Sequence, residues 1–256
     1  MRRLGIVLIC CMIHIPSVSA AIAFVSRVQN GGAASSTTVA SPAQAHTAGN
    51  LLVALVHWND APTFSSIADT AGNTWTFTGT QLDPTNNHLR NYYAWNCLGN
   101  AANIVTATFS SGALYRNITV YEFSGVQTSS DPIDQEKSGT GSGTAISTAS
   151  FTVSASSEVI INQIIATEPI TDATYTLVNF AVTGDAAKYF ADAYHITSSN
   201  ESATATATSG SWGALAASFK IAAAAAATPG TLIISNGGSS TFTITNGGSS
   251  TLTITP

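Results

Sequence analysis

Asn50-Leu51-Leu52-Val53-Ala54-Leu55-Val56-His57-Trp58 is a near-continuous apolar run of strand length, bounded by Gly49 and by Asn59-Asp60. A half-buried strand alternates apolar and polar residues. An unbroken run of this length instead predicts a central strand covered on both faces. Downstream, Thr74-Trp75-Thr76-Phe77-Thr78 alternates hydroxyl and aromatic side chains, which predicts one wet and one dry face. Further short strands are predicted at 21–28, 91–98, 104–109, 117–123, 146–153, 158–167, 174–180, 188–196, 202–208 and 214–221. Gly, Asn and Ser separate them, with a glycine-serine loop at 138–143. No amphipathic helix interrupts the series. Short strands at this spacing predict an all-β fold, read here as one jelly-roll-like antiparallel β-sandwich over 21–221. Two smaller sandwiches divided near 138–143 are the alternative.

The N-terminus has the layout of a secretory signal. Arg2-Arg3 is followed by the apolar Ile6–Ile15 and by Val18-Ser19-Ala20, so residues 1–20 are expected to be removed and the protein exported to the cell surface or beyond. The apolar stretch is too short to span a bilayer, which takes about 20 residues. Two of the three cysteines, Cys10 and Cys11, lie in that segment. Cys97 is left alone, so no disulfide staples the mature chain. It shares strand parity with Tyr93 and Trp95, which predicts a buried, unreactive thiol. Charged residues make up only 8% of the chain, and the formal net charge is −5. With no basic cluster, nucleic acid and acidic membrane surfaces are poor partners. No segment reads as a membrane span.

A spacer follows the last sandwich strand. Residues 222–230 run through six alanines into Thr228-Pro229-Gly230, where Pro-Gly marks a turn. The tail, 231–256, then repeats itself: Asn236-Gly237-Gly238-Ser239-Ser240-Thr241-Phe242-Thr243-Ile244-Thr245 recurs from Asn246 with Leu252 in place of Phe242. Apolar residues stand two apart at Leu232/Ile234, Phe242/Ile244 and Leu252/Ile254, and Asn-Gly pairs supply the turns. Strands this short cannot bury a core of their own. These six residues are therefore the candidate assembly positions, adding strands to a sheet edge of another surface protein or of another copy.

Candidate chemistry is sparse. Gly-x-Ser-x-Gly is absent, and Gly210-Ser211-Trp212-Gly213 lacks its spacing. His46, His57, His88 and His195 are scattered, with no paired spacing for zinc. Asp131, Asp134 and Glu136 cluster in one segment and would serve a glycosidase if two of them faced each other across a cleft. Asp69, Asn73, Asp131 and Asp134 offer oxygen ligands for calcium, although Asp69-Thr70-Ala71-Gly72-Asn73 fits an Asx-type turn between two strands better. Sugar rings stack on exposed aromatics, and Trp58 with Asp60, Tyr92 and Trp212 stand where exposure is expected; Trp75 and Trp95 are assigned to the core. Asn117-Ile118-Thr119 and Asn200-Glu201-Ser202 match the glycosylation sequon.

Three stretches carry a resemblance: 48–56 (Ala-Gly-Asn-Leu-Leu-Val-Ala-Leu-Val), 69–75 (Asp-Thr-Ala-Gly-Asn-Thr-Trp) and 121–126 (Tyr-Glu-Phe-Ser-Gly-Val). Together they resemble a group of secreted, largely uncharacterised bacterial β-sandwich proteins, over about residues 21–221. The tail is similar to the opening strands of immunoglobulin-like modules in bacterial surface proteins. Neither resemblance implies a catalytic residue. The combined expectation is a secreted, non-enzymatic structural or adhesive protein. A carbohydrate-binding module and a carboxylate-dependent glycoside hydrolase are the alternatives.

Overall fold

The computed structural model describes residues 21–59, 62–84, 86–173, 183–185, 188–223, 240–246 and 248–254, and every regular element among them is a strand. The first nine are β1 (Ala23–Gly32), β2 (Ser36–Ala40), β3 (Gln44–His46), β4 (Leu51–Asn59), β5 (Phe64–Asp69), β6 (Thr76–Leu82), β7 (Asn87–Ala94), β8 (Asn100–Asn103) and β9 (Val105–Ser124). The next eight are β10 (Ile133–Ser142), β11 (Ala145–Ser147), β12 (Glu158–Ala166), β13 (Ile170–Ala173), β14 (Thr183–Asp185), β15 (Lys188–Thr197), β16 (Thr204–Ala207) and β17 (Ser211–Lys220).

The same pairing scheme is built twice. In the first half β1-β9-β4-β7-β6 form a large sheet, and the N-terminal part of β9 runs on between β2 and β5 in a smaller one. In the second half β10-β17-β12-β15-β14 and β11-β16-β13 repeat that order, with β16 and β17 standing for the two parts of β9. All pairings are antiparallel, and the two-sheet plan with crossing connections is that of a jelly roll. Details recur as well. The first strand of each half bulges at the same place, after Phe24 and after Ile133. The hydroxyl of Ser41 accepts the Val105 N–H at 3.0 Å, and that of Thr148 accepts the Ala203 N–H at 3.0 Å. The β3–β8 pair answers to the Phe151–Glu201 bridge.

The two large sheets face each other, so the unit has four layers. Residues of odd number on β4 and β7 look toward the second half: Leu51, Val53, Leu55 and Tyr93 join Tyr121 and Phe123 against Val159, Ile161, Tyr194 and Phe219. Even-numbered Val56, Trp58 and Tyr92 look the other way, onto Val105, Ala107 and Phe109 of the outer sheet. This is why β4 and β12 are buried on both faces, as the apolar run predicts. The matching outer core of the second half is built from smaller residues, among them Ala166, Ala205, Ala207 and Ala214.

Polar groups are buried in the seam between the halves. Asp192, wholly buried, accepts hydrogen bonds from Arg27 Nε (2.7 Å) and Nη2 (2.5 Å) and from the Tyr121 hydroxyl. Gln163 donates to the Arg90 carbonyl (2.9 Å) and to Asn91 Oδ1 (2.7 Å).

The glycine-serine stretch 138–143 is not a loop. Residues up to Ser142 belong to β10, with the turn at Gly143. Its glycines serve close packing instead: a Cβ on Gly139 would stand 2.0 Å from the Ser147 carbonyl oxygen, and one on Gly141 2.6 Å from the Trp212 ring. Glycine inside a strand marks such a close approach as readily as it marks a turn. The halves are joined instead by the segment between β9 and β10.

A separate unit holds β18 (Ser240–Asn246) and β19 (Gly248–Ile254), which pair antiparallel with Phe242 opposite Leu252; Gly247 of the predicted Asn-Gly turn lies outside the described residues. The expected signal segment, Asp60, the strand predicted at 174–180, and the assembly residues Leu232 and Ile234 lie outside the described residues. Among the described residues, no helix is long and apolar enough to cross a membrane.

Candidate functional site

Two of the aromatic residues singled out for sugar binding meet in one cluster, although neither is exposed. Trp58 is 1% and Tyr92 6% exposed. The expectation of exposure fails because β4 and β7 are inner strands of a four-layer stack, so both of their faces are covered. Trp58 donates its ring N–H to the Pro62 carbonyl at 2.8 Å and stacks on His88, with centroids 4.9 Å apart. Tyr92 stacks on Phe64 at 4.7 Å. Arg90 lies over the rings of Phe77 (4.9 Å), Phe64 (5.3 Å) and Trp58 (5.9 Å), an arrangement stabilised by the negative faces of the rings. Its Nε donates to Gln81 Oε1 at 2.6 Å and its Nη1 to the Tyr92 hydroxyl at 3.1 Å. Phe64, Phe77, His88 and Arg90 are half-buried and form the margin of this cluster. Sequence patterning missed Arg90. The only hint was a cation set in His88-Leu89-Arg90-Asn91-Tyr92, within a chain that has few charges.

Trp212 stands apart on β17, half-buried over Gly141. Trp75 and Trp95, assigned to the core, are likewise half-buried and pack against its rim.

The carboxylates proposed for hydrolysis or calcium each serve a different structural task. Both oxygens of Asp131 lie within 3.0 Å of the Tyr93 hydroxyl, which donates to them, and one also accepts the Ile133 N–H. Burial, and then this contact, raise the Tyr93 hydroxyl above its ordinary value. Asp134 takes the bulge position on β10, accepting from Ser154 Oγ at 2.7 Å and pairing with Lys220 at 3.4 Å. Burial pushes its carboxyl up, but these partners outweigh that and hold it below the usual range. Glu136 crosses to the first half, where its Oε2 accepts the Thr80 N–H at 2.9 Å and its Oε1 lies 2.6 Å from Thr78 Oγ1. Burial raises its carboxyl against these bonds.

Asp69 and Asn73 form the Asx-type turn. Asp69 accepts from the Asn73 N–H (2.9 Å), from Asn73 Nδ2 (2.6 Å) and from Asn103 Nδ2 (3.0 Å). Burial raises its carboxyl, and these bonds more than reverse the effect. Among the described residues, no three His, Cys, Asp or Glu side chains come together as metal ligands.

The three resembling stretches converge at one end of the first half. Glu122, wholly buried, accepts from Asn50 Nδ2 (2.6 Å), the Thr47 N–H (2.8 Å) and Ser26 Oγ (3.2 Å), and so ties the loop before β4 to β9. Asn103 bridges His46 Nδ1 (3.1 Å) and Asp69. Burial lowers the His46 pKa despite the nearby carboxylates. Cys97, 3% exposed, donates its S–H to the Thr47 carbonyl at 3.2 Å. Burial, helped by the Glu122 charge, pushes its thiol up to about 11. The nucleophilic form of cysteine is the thiolate, so this buried thiol is unreactive at neutral pH. The expected burial holds, but not through strand parity: Cys97 lies beyond the end of β7 and packs with Leu52 and Ala94, away from the Tyr93 face. Here a carboxylate, an imidazole and a thiol act as loop fasteners.

Comparison of the chain with protein-family models, with curated proteins and with solved structures found no match to any of them.

Proposed function

We propose that the protein is a secreted or cell-surface structural or adhesive protein that assembles through its C-terminal hairpin. The observation that carries this reading is where the reactive side chains are spent. Asp131, Asp134, Glu136, Asp69 and Glu122 each hold a turn, a bulge or a seam, while a strand hairpin of repeated sequence follows a spacer. A hairpin of two seven-residue strands is marginal alone, and sheet-edge pairing is the ordinary way for such an element to gain partners. Export rests on the signal-like segment 1–20. Deleting 222–256 and measuring mass by sedimentation tests the reading: oligomers disappear with the tail, and an unchanged mass would end it.

Carbohydrate binding is the second reading, favoured by the convergence of Trp58, Phe64, Phe77, His88 and Tyr92 around Arg90. Phe64 and Phe77 at its margin, with Gln81 beside the arginine, are the groups a sugar would touch. A glycan array that shows no binding, or binding unchanged by F64A/F77A, counts against it.

A further inference from the structure

The hairpin carries a symmetry of its own. Residues 236–245 and 246–255 are one ten-residue unit repeated, differing only at Phe242 against Leu252. In the β18–β19 ladder the two units pair about that very position. Phe242 is opposite Leu252, Thr241 opposite Thr253, Thr243 opposite Thr251, Ser240 opposite Ile254, and Ile244 opposite Ser250. The unit therefore pairs antiparallel with a copy of itself about its seventh residue. A strand that does this within a chain can take the same register on the edge of another chain, because the cross-strand side-chain matches are the same, with hydrogen-bonded and non-hydrogen-bonded pairs exchanged on the second edge.

β18 and β19 pair with each other, and neither has a second neighbour among the described residues, so the sheet keeps an open edge on β19. Two of the main unit's edge strands suit such a strand less well. Its first strands, β1 and β10, carry bulges after Phe24 and Ile133, and β10 adds Asp134, Glu136 and Lys137. Bulges and charges of this kind deter strand addition. We infer that β19 pairs with β19 of a second copy of this chain, antiparallel and two-fold symmetric. Leu252 then stands opposite Leu252, Thr251 opposite Thr253, and Ser250 opposite Ile254. This self-matched contact closes on itself as a dimer. It rests on the assembly reading above and names the partner in it.

Register-specific cross-linking tests the inference in the full chain carrying C10S, C11S and C97A. Directly opposed Cα atoms lie about 4.5–5.5 Å apart, within disulfide range. L252C therefore oxidises to a covalent dimer. T251C faces Thr253 of the partner chain, which leaves its own copy about 8 Å away, beyond the roughly 7 Å limit. L252C is expected to give at least about ten-fold more dimer than T251C. S250C alone and I254C alone behave like T251C, and mixing those two restores the cross-link. If deleting 222–256 dissociates the protein but neither L252C nor the mixture exceeds T251C, the tail assembles through a different edge. The inference then falls while the assembly reading stands. A mass unchanged by the deletion removes both.

Discussion

Replacing Asp192 by alanine breaks the polar seam at its centre. Asp192 is fully buried and the Arg27 side chain is 12% exposed, so the variant leaves a guanidinium nearly shut away from water with no counter-charge. The Tyr121 hydroxyl loses its acceptor in the same step. Removing one partner of a buried pair costs about 3–5 kcal/mol, chiefly because the survivor stays buried and charged. For a unit of roughly 200 residues, at about 2–4 °C per kcal/mol, the melting temperature should fall by roughly 10 °C. The double variant R27M/D192L removes both charges and should unfold within about 1 kcal/mol of the parent, since an apolar replacement of a whole buried pair is often neutral. Urea unfolding followed by tryptophan fluorescence and by circular dichroism provides the energies and checks that both halves unfold together. A loss below about 1 kcal/mol for D192A, or a double variant as unstable as the single one, would refute the claim that the pair is buried in the interface between the halves.

Glu136 has a raised folded-state pKa, so the native protein binds its proton more tightly than the unfolded chain does. Its contribution is full below the ordinary glutamate pKa and is lost as pH rises through the raised value. E136Q, whose amide can donate to Thr78 and accept from Thr80, should abolish that loss, seen as a flatter stability–pH curve just above pH 4–5. Asp69 works in the opposite sense: its depressed pKa gives stability above the unfolded value that disappears as acid protonates it, so D69N should flatten the curve below about pH 4. Asn162 is 1% exposed with neither amide atom partnered, so N162L should stabilise the second half by about 1–2 kcal/mol in urea unfolding. Cys97 should resist alkylation at pH 8 in the native protein and react at once in denaturant; rapid native labelling would contradict its burial.

Much of the strand pattern was legible in the chain because it is local chemistry. The strand at 76–78, the apolar run at 51–58 and the pairing of the two repeated units of the tail each depend on residues a few positions apart. The Asx turn at Asp69 belongs with them. Strands β2, β3, β5, β8, β10, β13 and β14 lack such a pattern and went unread.

Tertiary structure alone decided what covers each face. Parity shows that Tyr92 and Tyr93 look in opposite directions, but not that a second half lies on one side and an outer sheet on the other. For the same reason Trp58 reads as exposed and is core. The duplication was hidden too, since strands in equivalent pairings carry unlike residues: Trp58 ends the run in the first half where Ala166 stands in the second, and Tyr92 answers to Ala193. Sheet pairing is set by backbone hydrogen bonds between distant segments, which many side chains satisfy alike. The residues by themselves therefore determined an all-β chain with strands of known face. Only the packing of one jelly roll against its double determined which faces, carboxylates and rings were left for anything else to touch.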